Sequence, residues 1–262
     1  MTLPPLSRGL QGPRPPQTID QVISRMDDLI DTARREKSRL GYFAALYRKV
    51  TVEIKRGITT GRFEDGARME KFDVIFANRY LVAWDQYRRG YRPSGCWQYA
   101  FEMSQNRQAL ILQHLLLGMN AHINLDLSVA AAQTCPGDQY PTLAHDFNEV
   151  NLVLTELIEE VQREIAAVSP MFGLLDQVGG RTDEVLCNFS LNKARTAAWR
   201  AGQILAPLNT QQQSKEIVVM DGVVTTLASV VCNPSMFLNP MFYTICLVES
   251  EDIGQVIDLL NK

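Results

Sequence analysis

The chain is poor in histidine: it has three in 262 residues, and all of them fall between positions 114 and 145. Its five cysteines (Cys96, Cys135, Cys187, Cys232, Cys246) include no C-x-x-C pair. That excludes zinc-ribbon spacing, and the odd, sparse set points to buried thiols in a reducing, cytoplasmic compartment rather than a disulfide framework. Cys135, beside Pro136 and Gly137, is the one cysteine placed as a candidate nucleophile. An excess of one charge is also lacking. A net charge of −3 gives no electrostatic footprint for nucleic acid or an anionic membrane. The one tight basic group, Arg88, Arg89 and Arg92, suits a helix C-terminus better than a phosphate site. No uninterrupted apolar run reaches the ~20 residues that span a bilayer, and no apolar signal core opens the chain. Internal repeats are absent.

Strand signals are nearly missing as well. Only 215–231 qualifies, with β-branched runs at 217–219 and 223–226 around Asp221-Gly222, a hairpin dipeptide. No other strand candidate exists to complete a sheet, so this segment is expected to be helical.

What remains is helix, and an apolar share of 46% is enough to fill a substantial core. Residues 1–17 carry Pro4, Pro5, Pro13, Pro15 and Pro16 and are expected to form an extended arm. Residues 18–262 then read as a single all-α domain, a multi-helix bundle. Thr18 and Gln21 have capping-box spacing, and Val22, Met26, Leu29 and Ile30 follow at helical period. Further helices are expected at 40–56, 64–89, 107–132, 141–168, 171–178, 182–206 and 250–261. The run around 109–117 is apolar on nearly every face, which marks a buried central helix.

That central helix carries His114, His122 and Asp126, and the next carries His145 and Glu149. His122/Asp126 and His145/Glu149 share one pattern, a histidine followed four residues later by an acid. On a helix such a pair lies on one face, roughly 6 Å apart along the axis. If the two helices are antiparallel neighbours, His122, Asp126, His145 and Glu149 become candidate ligands of one divalent metal (zinc, manganese or iron). Asp126, Glu149 and His114 are then the candidate catalytic groups. His114 stands eight residues before His122, about 12 Å along the helix, too far for easy joint ligation. Each pair also has a plainer reading, an ion pair that stabilises its own helix. Tyr80, Tyr87 and Arg195 are polar tips on largely buried helices, and hence candidate donors to a substrate.

The stretch from Leu117 through Asn120-Ala121-His122-Ile123-Asn124-Leu125-Asp126 to Leu127 resembles the signature of an uncharacterised family of helical bacterial and fungal proteins. The resemblance covers most of the chain from about residue 20 and implies no activity. More remotely, the layout is similar to zinc-dependent phospholipase C and related single-strand nucleases. That likeness covers about 40 residues and implies His114, His122, His145 and Glu149 as ligands. Gly118 stands where a bridging aspartate belongs, and no histidine precedes residue 114.

Three readings follow. The first is a metal-dependent enzyme that hydrolyses an ester or phosphoester, activating water at the metal. The second is a metal-free acid/base enzyme (an isomerase, cyclase or lyase) acting on a hydrophobic small molecule through His122 and Asp126. The third is a non-catalytic helical binding protein in which the pairs are core polar networks. In the two enzyme readings the partner is a small-molecule substrate.

Overall fold

The computed structural model describes residues 13–169, 191–232, 245 and 249–262, and among these there are ten α-helices and no strand. The all-α expectation holds. Thr18 starts α1 (Ile19–Arg35): its hydroxyl accepts from Gln21 N at 3.3 Å, while the Gln21 side chain reaches back to Gln17 N at 2.8 Å, one residue beyond the capping-box position. Next come α2 (Leu40–Thr59) and α3 (Gly66–Arg88), the latter capped by Asp65, which accepts from Arg68 N at 2.9 Å. The short α4 (Gly95–Met103) leads to the central rod.

That rod is α5 (Ile111–Ala121), a π-helical turn (His122–Asp126) and α6 (Leu127–Thr134) in one line. Among the described residues it alone is long and apolar enough to cross a membrane, yet 89% of its most apolar window is buried inside the fold. It is a core helix, as its all-round apolar pattern implies. Its side-chain amides are satisfied internally. Asn120 donates to Val224 O (2.9 Å), Asn124 to Asn120 Oδ1 (2.9 Å) and Gln113 to Val231 O (3.0 Å). Its first amide, Ile111 N, donates to Glu249 (2.9 Å).

The rod differs from expectation at one place. The Leu127 amide reaches His122 O, five residues back, so the predicted uninterrupted α-helix contains a π-turn at His122–Asp126. Such turns insert one residue and re-aim the side chains around them. One turn earlier, a Cβ on Gly118 would lie 2.4 Å from Phe43 Cγ. Only glycine lets the Phe43 ring lie flat on the rod, and this explains the residue that stands where an aspartate was expected.

Around the rod lie a 3₁₀ turn (Gly137–Leu143), α7 (Ala144–Val168), α8 (Leu191–Leu205), α9 (Thr210–Cys232) and α10 (Ile253–Leu260). The doubtful segment 215–231 is helix α9. Its Asp221 does not make a hairpin turn; it accepts from Gly95 N (2.6 Å) and Cys96 N (2.9 Å) and so caps α4. The buried Lys49 on α2 pairs with Glu160 (3.2 Å) and Glu164 of α7. Most of the proline-rich arm, the helix expected at 171–178, the start of the one at 182–206, Cys187 and Cys246 lie outside the described residues.

Candidate functional site

His122 is 4% exposed, enclosed by rings. Phe76 stacks on it with centroids 3.6 Å apart and planes within 12°, and Tyr47 meets it edge-on at 4.1 Å. Phe43, laid against the rod by Gly118, closes a further side at 5.6 Å. Neither imidazole nitrogen has a hydrogen-bond partner. Burial therefore lowers the His122 pKa, with Asp126 opposing and Arg79 assisting.

Asp126 comes close but does not hold the ring. Its Oδ2 is 3.7 Å from His122 Nδ1, beyond hydrogen-bond length. Both its oxygens are engaged elsewhere: Oδ1 accepts from Arg79 Nε at 2.7 Å and Oδ2 from Trp97 Nε1 at 2.8 Å. Burial pushes this carboxyl upward, but Arg79 leads the groups that hold it below the usual carboxylate range.

Next to His122 is a cavity of about 160 Å³. Its wall is apolar, built from residues such as Leu46, Met69, Met119, Leu154 and Leu157, and among the described residues four polar side chains reach it: Tyr47, Asp73, His122 and Arg195. Asp73 is 6% exposed, and its Oδ2 has no partner. Burial, reinforced by Glu70, raises its pKa to about 7. The Tyr47 hydroxyl is likewise buried and unpartnered, and burial, with Asp73 next, raises its pKa well above the ordinary value. Unpaired buried polar atoms are rare because each costs about 1–3 kcal/mol. Three such groups around one apolar cavity form a constellation that packing alone does not require.

The second histidine–acid pair lies elsewhere. The His145 side chain is 57% exposed and 3.5 Å from Asp146, not paired with Glu149. Glu149 faces Arg62 at 3.6 Å, and Arg62 also forks onto Glu156 with two bonds of 2.9 Å. Among the described residues, the one group of potential metal ligands that converges is Glu64, His145 and Asp146, with atoms within 4.8 Å of one another. Within it, buried Asp146 already accepts from Glu64 N (2.7 Å), Asp65 N (3.2 Å) and Arg68 (2.7 Å), which makes it a fastener between α3 and α7. His114 lines a different, more polar depression of about 1020 Å³ with Arg39, Tyr42 and Glu249. Its Nε2 is unpartnered, and burial, then Arg39, lowers its pKa to about 4.

The four expected ligands thus do not converge. His122 and Asp126 share the core, whereas His145 and Glu149 are turned to solvent and to Arg62. Asp126 cannot serve a cation well with a guanidinium on one oxygen and an indole N–H on the other. His114, expected beside them as a catalytic group, lines another depression. The physical reason is rotation: equal spacing within each helix says nothing about which face meets the neighbour. Cys135 is buried in the core, and Tyr80 packs among aromatic rings. Asp85 pairs with Arg25 at 2.7 Å.

Sequence reasoning passed over Asp73 and Tyr47. Asp73 does leave a trace, since it is a lone acid in the apolar stripe of Met69, Phe72, Phe76 and Tyr80. Tyr47 reads as an ordinary core aromatic and gives no signal.

The fold and cavity define a helical-bundle protein with an apolar cavity edged by unpaired polar groups. Residues 19–234 match DUF5995, a family of unknown function, and the chain belongs to that family. No curated protein and no solved structure matches it.

Proposed function

We propose that the cavity beside His122 binds a hydrophobic small molecule and that His122 and Asp73 perform acid/base chemistry on it. One observation carries this reading: a neutral imidazole and a carboxyl titrating near 7 reach the same apolar cavity, each with unpartnered atoms. Burial has moved both toward their uncharged forms, so near neutral pH His122 can accept a proton while Asp73 can donate one. The Asp126 carboxylate, 3.7 Å from Nδ1, would stabilise the imidazolium formed. Isomerisation, cyclisation and elimination can each use such a pair.

The metal-dependent reading has less support, because His122, Asp126, His145 and Glu149 do not meet. The non-catalytic reading accounts for the Asp126 network with Arg79 and Trp97, but not for unpaired groups at a cavity wall.

The test is hydrogen–deuterium exchange at the carbon next to the carbonyl of 1-phenylpropan-2-one, followed by NMR in deuterated buffer. Exchange above background that is lost in both His122→Phe and Asp73→Asn is expected. Exchange unchanged in both folded variants refutes the acid/base roles.

A further inference from the structure

Arg195 is the fourth polar side chain at the cavity wall, and it is 4% exposed. It sits one turn into α8, beside Leu191, which also lines the cavity. Its Nε donates to Asn151 Oδ1, and one terminal nitrogen donates to Phe147 O at 2.7 Å. The guanidinium carbon lies 4.5 Å from the Phe147 ring centroid. All three partners are neutral.

Three other basic groups that are buried or half-buried have a carboxylate. Lys49 has Glu164, Arg68 has Asp146 and Arg79 has Asp126. Among the described residues no carboxylate lies within ion-pair distance of Arg195. Asp73 is not its counter-ion: Glu70, and no cation, is the charged group that moves the Asp73 pKa. Burial draws the Arg195 pKa down to about 9, with no acid among the described residues opposing it. The group still carries its charge at neutral pH.

A buried charge without a counter-ion is costly, and proteins keep one mainly where something else supplies the opposite charge. A guanidinium has five N–H donors in a planar fork suited to carboxylates, and two are used among the described residues. The size of the space limits the rest of the ligand. An apolar cavity of about 150 Å³ accepts a benzene-sized molecule, and this one is about 160 Å³.

We infer that the cavity's ligand is a small hydrophobic carboxylic acid, with a ring or short branched chain among Met69, Met119 and Leu154 and its carboxylate on Arg195. This inference rests on the reading of the cavity as a ligand site, and it makes that reading chemically specific. With the carboxylate anchored at α8, the ligand body lies between Arg195 and the wall that carries His122 and Asp73. The three groups then have distinct tasks: Arg195 orients the acid, and the other two exchange protons with its carbon skeleton.

Calorimetric titration of the full chain with 3-phenylpropanoate and its isosteric neutral amide, 3-phenylpropanamide, tests this. The wild-type protein is expected to prefer the acid by at least about tenfold. In Arg195→Gln the preference should fall below about twofold while the amide still binds, and Arg195→Lys should keep part of it. Circular dichroism checks that both variants fold, and the acid–amide comparison on wild type needs neither. Equal binding of acid and amide to wild type overturns the carboxylate anchor and leaves the cavity reading intact. An acid preference unchanged in folded Arg195→Gln also overturns the assignment to Arg195. Failure of both compounds to bind removes the cavity reading and this inference with it.

Discussion

Two segments of this chain carry the same five-residue pattern, and the fold treats them in opposite ways. His122 and Asp126 lie in the core, on a π-turn of the central rod, one in a box of rings and the other bridging Arg79 and Trp97. His145 and Glu149 lie on α7 at the surface, one beside Asp146 and the other beside Arg62. The lesson concerns what spacing can say. A separation of four residues sets relative position on one helix, but burial and partners come from the neighbours. In the core pair, desolvation dominates and keeps the imidazole neutral. In the surface pair, solvent screens whatever the charges do.

That contrast can be broken in several ways, the most severe first. Asp126→Ala would leave Arg79 without its carboxylate and Trp97 Nε1 without its acceptor, and should cost roughly 3–5 kcal/mol in urea unfolding. Glu149→Ala should cost under about 0.5 kcal/mol in the same measurement. Comparable losses would mean that the two pairs are not different in kind.

Asp73→Asn sharpens the comparison from the other side. The folded pKa of Asp73 is raised, so the native state binds the extra proton and stability declines as pH rises from the unfolded value of 3.8 to about 7. Replacing the carboxyl by an amide removes that decline. At pH 8 the variant should be more stable than wild type by roughly 2–4 kcal/mol, with the gap closing below pH 4. A less stable variant at pH 8 would show that Asp73 has an ionic partner in the fold.

Gly118→Ala should cost about 1–3 kcal/mol, because its methyl would drive Phe43 off the rod and disturb the box around His122. Tryptophan fluorescence unfolding would register the loss, and the cavity ligand should bind more weakly as well. A further difference is expected in the acid limb. Folded His114 and His122 have lowered pKa values, so the unfolded chain takes up protons first and stability falls as pH drops below about 6.5. His122→Phe should make that fall shallower between pH 6.5 and pH 4 in urea unfolding. An unchanged slope would mean that His122 is not held neutral.

Much of the fold was legible in the chain. The all-round apolar run at 109–117 marked the central rod, and the lack of other strands correctly turned 215–231 into α9. The π-turn was not legible, because a single inserted residue leaves the apolar pattern on both sides intact. In the candidate site, His122 and Asp126 stood out as polar residues on an apolar helix that had to be accounted for. Their grouping with His145 and Glu149 failed because helix rotation is set by packing that spacing does not encode. Asp73 broke an apolar stripe on α3 and was discoverable on that ground. Arg195 was readable only as a polar tip; its lack of an acid partner among the described residues is a property of three dimensions.

The central claim is that the cavity beside His122 takes a small hydrophobic ligand. Methyl-labelled methionine NMR tests it most directly, with neutral 3-phenylpropanamide as ligand so that Arg195 is not decisive. Met69 and Met119 line this cavity, whereas Met103 lines the depression at His114. The account predicts saturable shifts at Met69 and Met119 with Met103 still. Shifts at Met103 alone, or at no methionine, would contradict it.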